Sequence, residues 1–328
     1  MHIVTASDDN YAIGVMVLIA SAQRHNPQAR FTVLTTGWRA ESVAALDTVR
    51  ERLGCRLDRI DVAAERLDRL IIRRAHLSRA TALRLLIPDL MPEAARIIYT
   101  DCDMVVTGAL DEAWRTRIAE GQLLAAVPCP TPTAAVCAAL GLRKGTYFNA
   151  GLLVFDVETW RREDVGGKGL RKLTDPANDR LLGDEATLNE MCGGNFAKLP
   201  SGLNVYANET GFQPAFNAPD SIRVLHYTIA PKPWNGPRPF GAIWHHEAAR
   251  IADLLPPISP RPPSLRARLR HWNGTRKLWM GWAARKPDYR EAFRIRRYVR
   301  DTLVPGYLAH GSMVAVPPPD PPFVDPAA

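Results

Sequence analysis

The stretch Arg96-Ile97-Ile98-Tyr99-Thr100-Asp101-Cys102-Asp103-Met104-Val105-Val106 places two carboxylates two residues apart inside an otherwise apolar, strand-forming run. In an extended backbone, side chains alternate between the two sides, so Asp101 and Asp103 would point to the same side. Partly burying two adjacent carboxylates is costly unless a cation offsets their charge, and hard divalent cations prefer oxygen ligands. The stretch therefore predicts a metal site at a strand end. The alternative is that both aspartates are solvated or cap a following helix.

Strands and helices alternate on both sides of this stretch. Apolar patterning predicts strands at residues 2–7, 30–36, 55–62, 123–127, 147–157, 197–199 and 223–227. Helical periodicity predicts helices at residues 12–25, 40–53, 78–90, 184–192 and 245–255. This order is typical of an α/β domain with a mixed sheet flanked by helices, and such sheets bind ligands at the turns that follow their strands.

The composition is that of a globular protein, with 46% apolar and 23% charged residues among 328. The five cysteines are scattered and form no Cys-x-x-Cys pair. Neither a disulfide framework nor a zinc knuckle is therefore expected, and a reducing cytosol fits best. The first apolar run, residues 13–20, follows two aspartates and is too short to span a bilayer. We expect neither a signal peptide nor a membrane-spanning helix.

Positive charge is concentrated in one segment. Residues 261–300 hold thirteen Lys or Arg against two acidic residues, so the rest of this chain of net charge +8 is slightly acidic. Proline-rich sequence at residues 256–263 predicts a linker, and the proline-rich end from Val316 predicts disorder. We therefore predict a main α/β domain at residues 1–255 and a tail at residues 256–328 that contains a basic, aromatic helical segment.

Five short motifs stand in a fixed order at residues 6–11, 78–88, 99–103, 148–155 and 226–234, reading ASDDNY, SRATALRLLIP, YTDCD, FNAGLLVF and HYTIAPKPW. In this order and spacing they resemble glycosyltransferase family 8, the retaining enzymes that include glycogenin and bacterial lipopolysaccharide α-galactosyl- and α-glucosyltransferases. The resemblance covers roughly residues 1–255. It implies a GT-A fold, a Rossmann-like nucleotide-sugar-binding domain with a mixed central β-sheet, here followed by the basic helical C-terminal tail.

The resemblance implies a divalent metal held by Asp101, Asp103 and His226. Mixed carboxylate and imidazole ligation favours Mn²⁺, with Mg²⁺ as the alternative because it prefers all-oxygen shells. Such a metal acts as a Lewis acid on the departing nucleoside diphosphate. Without the Lys-Pro-Trp that follows it, His226 would be interpreted as a hydrogen-bonded histidine at the end of a core strand.

The resemblance also implies a nucleotide-sugar site. Tyr11 would stack on uracil, Lys232 would contact the phosphates, and Arg84 would hold the diphosphate or the donor sugar with a guanidinium suited to bidentate phosphate contacts. The residues assigned to nucleotide-sugar binding are Ala6, Asp8, Asn10, Tyr11, Arg84, Asn149, Ala150 and Lys232.

Asp184 and Glu185 are the candidate catalytic residues, within a sequence that departs from the family pattern. Asp184 keeps a sugar-binding carboxylate, whereas Glu185 replaces an amide and Ala186 replaces a carboxylate. Glu185 could act as a nucleophile or as an ion-pair stabiliser of an oxocarbenium-like transition state. Ile229 stands where the family usually has glycine, and Ala82 where an aromatic residue is common. These changes bear on donor-sugar identity.

The sequence thus predicts a hexosyltransferase, a metal-dependent retaining enzyme that moves glucose or galactose from a UDP-sugar to a cell-envelope glycan or glycolipid. One alternative is a catalytically weak nucleotide-sugar or envelope-binding protein, suggested by Ala186 and Ile229. A less favoured one is a phosphohydrolase with Asp101 as nucleophile, because such enzymes continue with Gly-Thr where this chain has Met104-Val105.

The composition of the tail indicates a separate binding partner. Between residues 265 and 282 basic residues interleave with Leu, Met and the tryptophans Trp272, Trp279 and Trp282, a composition typical of an interfacial helix. We expect it to bind an anionic membrane surface, which would place a cytoplasmic protein peripherally on the inner face of the cytoplasmic membrane. Nucleic acid is not an expected partner, since the main domain is acidic. The alternative is that the tryptophans pack on the main domain.

Overall fold

The computed structural model describes residues 1–68, 70, 79–129, 132, 134–178, 183–208, 212, 218–228, 230–238, 240–256 and 265–313. Nearly all of the proline-rich linker, the proline-rich C-terminal end and Ile229 lie outside these residues, so the predictions made for them stay predictions. Among the described helices, none combines the length with the apolar character that crossing a bilayer requires.

Within the described residues, ten strands form two sheets. Their bounds are β1 His2–Asp8, β2 Arg30–Thr36, β3 Arg56–Asp61, β4 Arg96–Asp101, β5 Met104–Val106, β6 Ala125–Pro128, β7 Phe148–Asp156, β8 Ala197–Lys198, β9 Val205–Tyr206 and β10 Val224–His226. The seven-stranded sheet has the order β3-β2-β1-β4-β7-β6-β8, and the small sheet has the order β5-β10-β9. Strands β1 to β4 of the large sheet are mutually parallel, whereas β7 is antiparallel to β4 and β6. The predicted mixed sheet is confirmed.

The helices of the structure are α1 Ala12–His25, α2 Ala40–Leu53, α3 Ile87–Leu90, α4 Asp111–Arg115, α5 Ala134–Ala139, α6 Val157–Arg162, α7 Val165–Thr174, α8 Asp184–Cys192, α9 Gly241–Ala248, α10 Leu265–Ala283, α11 Pro287–Tyr298 and α12 Val304–His310. Short 3-10 helices lie at Asp9–Tyr11, Ala64–Leu67, Arg79–Leu86, Ser201–Leu203, Pro219–Ser221 and Ala249–Ile251, and a π-helical turn at Val299–Leu303 joins α11 to α12.

The large sheet is buried on both faces. Ile3 and Ile98 belong to a core on the α1 side, whereas Val4 and Tyr99 belong to a second core on the opposite side. This alternation is the period of two that a strand imposes on its side chains. The strands β1 and β4 therefore lie in the interior, and their carboxyl ends form the edge at which polar residues gather.

Residues 79–90, the described part of the helix predicted at residues 78–90, do not form a single helix. The chain forms a 3-10 helix at Arg79–Leu86 and then the short helix α3. Pro88 lies at the start of α3, and proline has no N–H to donate to the carbonyl four residues earlier. A continuous α-helix is therefore interrupted there, and Arg84 lies in the 3-10 segment.

The backbone at Asp101-Cys102-Asp103 is not extended throughout, so the two carboxylates come together through a turn and not through strand alternation. Strand β4 ends at Asp101, and the chain turns at Cys102 and Asp103 into β5. Strand β5 leaves the large sheet because it pairs antiparallel with β10, and the backbone N–H of Tyr227 donates to the Asp103 carbonyl at 3.0 Å. The turn links the two sheets at the point where both carboxylates lie.

The tail is divided between a packed part and an exposed part. Ile295, Tyr298, Leu303 and Tyr307, from α11 to α12, are buried in the core that also contains α1 and α9. The Tyr307 hydroxyl donates to the Glu247 carboxylate on α9 at 2.8 Å. In contrast, five large apolar side chains of helix α10 are exposed, namely Leu269, Trp272, Trp279, Met280 and Trp282.

Candidate active site

The predicted site residues lie at the carboxyl ends of the central parallel strands. Asp101 is the last residue of β4, directly opposite Ala6 of the neighbouring β1. His226 is the last residue of β10, and the β5–β10 pairing brings it beside the turn that carries Asp103. This edge is where open α/β sheets bind ligands. Residues distant in sequence are thus brought together by the connection between the two sheets.

Asp101, Asp103 and His226 form a compact group, here called the cation cluster. One potential ligand atom from each residue lies within 4.8 Å of the others. His226 Nε2 is 3.2 Å from Asp103 Oδ1 and 3.8 Å from Asp101 Oδ2. His226 and Asp103 are buried, whereas Asp101 is partly exposed. Two carboxylates and one imidazole are a donor set that suits Mn²⁺, so the residues present fit a divalent cation.

The other oxygen of each aspartate has a basic partner. Arg84 Nη2 donates to Asp101 Oδ1 at 2.8 Å, and Lys232 Nζ donates to Asp103 Oδ2 at 2.5 Å. Burial alone would raise the pKa of Asp103, but the neighbouring His226 and Lys232 hold this pKa well below its usual range. Asp103 is therefore ionised at neutral pH.

Arg84 connects the cation cluster to Asp184. Its guanidinium is buried, lies 4.4 Å from the centre of the Tyr99 ring and donates to the Ala150 carbonyl. Arg84 Nε is 2.7 Å from Asp184 Oδ2, an ionic contact without the alignment of a hydrogen bond, since Nε donates to the Thr81 carbonyl. Burial raises the pKa of Asp184 although the Arg84 charge opposes the shift.

Glu185 has a donor on each side. Tyr147 Oη donates to Oε1 at 2.8 Å, while Oε2 accepts from Asn149 Nδ2 at 2.6 Å and from the backbone N–H of Ala150 at 3.0 Å. Three hydrogen-bond donors stabilise the carboxylate, yet burial is the larger effect and raises the pKa of Glu185. The side chain is thus fixed in orientation at the first turn of α8.

The residues predicted for the nucleoside lie around the turn after β1. Asp8 Oδ1 accepts from the backbone N–H of Asn10 at 3.1 Å, which fixes this turn. The rings of Tyr11 and Trp234 pack edge to face with their centres 5.8 Å apart. Lys232 Nζ lies 5.9 Å from the centre of the Tyr11 ring. Tyr11 is therefore adjacent to the cation cluster through Lys232, whereas Asn10 is exposed at the rim.

Three side chains of the site were not predicted from the sequence. Tyr147 holds Glu185, Tyr99 Oη donates to Asp101 Oδ1 at 3.3 Å, and Asn204 lies 2.9 Å from His226 Nδ1. Tyr99 falls inside a quoted motif but has the pattern of an ordinary core aromatic. Asn204 is a polar residue between Leu203 and a very short strand, which is a weak signal for a buried position.

The sequence and the fold both match known proteins. The family model described as Glycosyl transferase family 8 matches residues 2–237. General stress protein A of Bacillus subtilis (strain 168) is 25% identical over 260 residues, which cover 72% of this chain and 87% of that protein. The lipopolysaccharide 1,3-galactosyltransferase of Salmonella typhimurium is 27% identical over 177 residues, and the match covers only 52% of either chain.

A solved structure has the same fold. The galactosyltransferase LgtC, crystallised with donor and acceptor sugar analogues, aligns with a TM-score of 0.68 and 24% identity over 78% of this chain and 98% of that one. At this identity the likeness concerns the fold, and it confirms the GT-A architecture predicted from the motifs. The Asp-nucleophile phosphohydrolase alternative has no support among these matches. The chain belongs to glycosyl transferase family 8, a family of glycosyltransferases with the GT-A fold.

Proposed function

We propose that this protein is a metal-dependent retaining glycosyltransferase that transfers glucose or galactose from a UDP-sugar to a cell-envelope glycan or glycolipid. The observation that carries the proposal is the cation cluster, in which Asp101 Oδ2, Asp103 Oδ1 and His226 Nε2 face one another while the outer carboxylate oxygens contact Arg84 and Lys232. Mn²⁺ is the cation we propose, with Mg²⁺ as the alternative. When bound, it would stabilise the negative charge on the departing diphosphate.

The arrangement of the other residues supports a division of the site. Tyr11 and Lys232 lie on the side of β1 and are assigned to the nucleoside and the diphosphate. Asp184, Glu185 and Asn149 lie on the side of α8 and β7 and are assigned to the donor sugar. Arg84 lies between the two groups because it contacts both Asp101 and Asp184. We also assign Ala6, Asp8, Asn10 and Ala150 to binding of the donor.

The proposals for the acceptor and the location rest on one relative and on helix α10. A relative that is a lipopolysaccharide galactosyltransferase supports an envelope glycan or glycolipid as acceptor. Helix α10 supports peripheral docking on an anionic membrane, since Trp272, Met280 and Trp279 are each more than half exposed, at 59%, 62% and 52%. Arg276 lies 5.5 Å from the centre of the Trp272 ring, so a cation accompanies the exposed aromatic surface. A cytoplasmic protein at the inner membrane face is the corresponding proposal.

The test is UDP release from UDP-glucose and UDP-galactose, each with Mn²⁺, with Mg²⁺ and with a chelator. We expect release that requires the cation and favours one of the two sugars. Release that is equally fast in the presence of the chelator would contradict the metal role. Tight UDP-sugar binding without release, measured by thermal shift, would instead favour the binding-protein alternative.

A further inference from the structure

A chain of hydrogen bonds extends from His226 into the protein. The backbone N–H of Gly151 donates to Asn149 Oδ1 at 3.1 Å, and Asn204 Nδ2 donates to the same oxygen at 2.8 Å. Because a backbone N–H can only donate, it identifies this atom of Asn149 as the oxygen. The amide group that faces it from Asn204 must then be the donor.

The same reasoning fixes the histidine. With its Nδ2 directed at Asn149, Asn204 presents Oδ1 to His226 Nδ1 at 2.9 Å. An oxygen can only accept, so the imidazole proton lies on Nδ1. A histidine that binds a metal is neutral, and with its one proton on Nδ1 the lone pair lies on Nε2, the atom that faces Asp101 and Asp103.

Packing also restricts the position of the His226 imidazole. A Cβ at Gly151 would lie 2.4 Å from His226 Cε1 and 2.7 Å from Met104 Cε, so glycine is required for the ring to lie where it does. The Tyr206 ring meets the imidazole edge to face at 5.9 Å. His226 and Asn204 are 3% and 7% exposed, so water does not substitute readily for their hydrogen bond.

The chain of hydrogen bonds continues beyond Asn204 to the candidate catalytic carboxylate. Asn149 accepts with Oδ1 from Asn204 and donates with Nδ2 to Glu185 Oε2 at 2.6 Å. Both ends of each amide are thus used, and the orientation of one asparagine determines that of the other. The cation side and the sugar side of the site share one hydrogen-bond network.

We propose that Asn204 is a positioning residue that presents His226 Nε2 to the divalent cation and, through Asn149, orients Glu185. The inference rests on the proposed metal role of the cation cluster. The Asn204 side chain would have two functions, because Oδ1 accepts a hydrogen bond from His226 Nδ1 and Nδ2 donates one to Asn149 Oδ1. Outer partners of metal-bound histidines typically change metal affinity about 10- to 100-fold when they are removed.

Two substitutions distinguish these functions. Asn204→Leu removes both the acceptor and the donor, so Mn²⁺ affinity should fall about 10- to 100-fold. Asn204→Asp keeps an oxygen for His226 Nδ1–H but places a second oxygen against Asn149 Oδ1. This variant should bind Mn²⁺ close to the wild-type affinity and still lose turnover, because the Asn149 amide can no longer satisfy both Gly151 and Glu185.

The experiment measures Mn²⁺ binding by electron paramagnetic resonance of the free ion, and kcat for UDP release at saturating Mn²⁺. Asn26→Leu is the matched control, because Asn26 is also 7% exposed and hydrogen-bonds Ala22 and Leu110 far from the cation cluster. It should bind Mn²⁺ as the wild type does. His226→Ala is the reference for loss of a ligand, and melting curves without metal verify that each variant is folded.

The outcomes separate the two proposals. If His226→Ala weakens Mn²⁺ binding while Asn204→Leu does not, the positioning role of Asn204 is wrong and the metal site stands. If His226→Ala binds Mn²⁺ like the wild type, the metal role itself is wrong. If Asn204→Asp loses as much Mn²⁺ affinity as Asn204→Leu does, Asn204 Oδ1 is not the decisive acceptor. The same conclusion follows if the control Asn26→Leu loses as much Mn²⁺ affinity as Asn204→Leu.

Discussion

Asp103 is the residue at which the metal proposal can be tested most directly. Its two oxygens are divided between His226 and Lys232, and its carboxylate is ionised and buried. Asp103→Asn should lower Mn²⁺-dependent UDP release by at least about 100-fold, since a cation typically contributes several kcal/mol to stabilising transition-state charge. The substitution also leaves Lys232 without its buried counter-charge, so a lower melting temperature is expected as well.

The matched control is Asp253→Asn. Asp253 is an exposed aspartate that pairs with Arg52 at 2.5 Å on the surface, and such pairs contribute little. This variant should release UDP at the wild-type rate. Near-normal release by Asp103→Asn at saturating Mn²⁺ would exclude Asp103 as a required ligand.

Glu185 gives a prediction about pH. Because burial raises its pKa in the folded protein above the ordinary value of 4.5, the neutral form is favoured on folding, and the ionised form carries a cost at higher pH. In Glu185→Gln the amide can donate to Tyr147 and accept from Asn149 and Ala150, so the contacts remain while the titration disappears. The melting temperature of the variant should match the wild type below about pH 4 and exceed it increasingly as pH rises through the raised pKa.

Thermal melts of both proteins between pH 3.5 and about 8, in buffers without metal, provide the measurement. A difference in melting temperature that does not change with pH would mean that Glu185 has no raised pKa. UDP release by the same variant tests its role as a nucleophile, because an amide cannot form a glycosyl ester.

At the scale of elements, helix α10 is the candidate membrane surface. Changing Leu269, Trp272 and Met280 together to Ser removes exposed apolar area without touching the buried core. Sedimentation with anionic phosphatidylglycerol vesicles at low salt should fall at least about tenfold, while UDP release in solution stays unchanged. The control changes Val136 and Leu308, which are exposed apolar residues elsewhere at 41% and 40%, to Ser.

Salt and lipid composition provide the discriminating conditions for this prediction. Wild-type binding should weaken at high ionic strength and on neutral phosphatidylcholine, because the basic residues contribute through screened electrostatics. If the triple variant sediments with the vesicles as much as the wild-type protein does, α10 is not the docking element. Among the described side chains, Trp279 and Trp282 contact Phe293 of α11 and stay exposed, which favours the docking proposal over packing of these two tryptophans on the main domain.

The longer elements could be predicted from sequence because their signals are local. Helix α2 and strand β2 begin and end where periodicity predicts. The helix buries one face and the strand buries both faces, so each leaves a regular pattern of apolar residues in the sequence. Strands β5 and β9 are three and two residues long, too short for any periodicity, and they exist because β10 pairs with both. The small sheet therefore depends on long-range pairing that no local pattern encodes.

The same distinction applies to the site. Asp101 and Asp103 are visible as charges in an apolar run, and the family motifs indicate His226 and Asp184. Asn204 and Tyr147 acquire their roles through partners 22 and 38 residues away in the chain. Their identity as site residues follows from how β9 and α8 pack, and this cannot be inferred from composition or spacing.

At the scale of the whole molecule, part of the tail belongs to the fold. Tyr298 is 1% exposed and its ring lies 6.4 Å from Phe212. Tyr298→Ala should lower the free energy of unfolding by about 3 kcal/mol because it leaves a cavity, whereas Trp272→Ala should change it by less than about 0.5 kcal/mol. Urea unfolding measures both. A small effect of Tyr298→Ala would mean that residues 287–310 dock only loosely and form a separable tail.

The partners of the two metal-side aspartates imply how the protein exists between catalytic cycles. Each of these carboxylates already has a cationic side chain beside it, Arg84 for Asp101 and Lys232 for Asp103, so part of their negative charge is offset by the protein itself. We therefore expect the protein to fold without the cation, in contrast to a zinc finger, which is unfolded without its metal. We expect the cation to exchange between turnovers, entering with one nucleotide and leaving with the next. A chelator should therefore abolish UDP release reversibly without unfolding the protein.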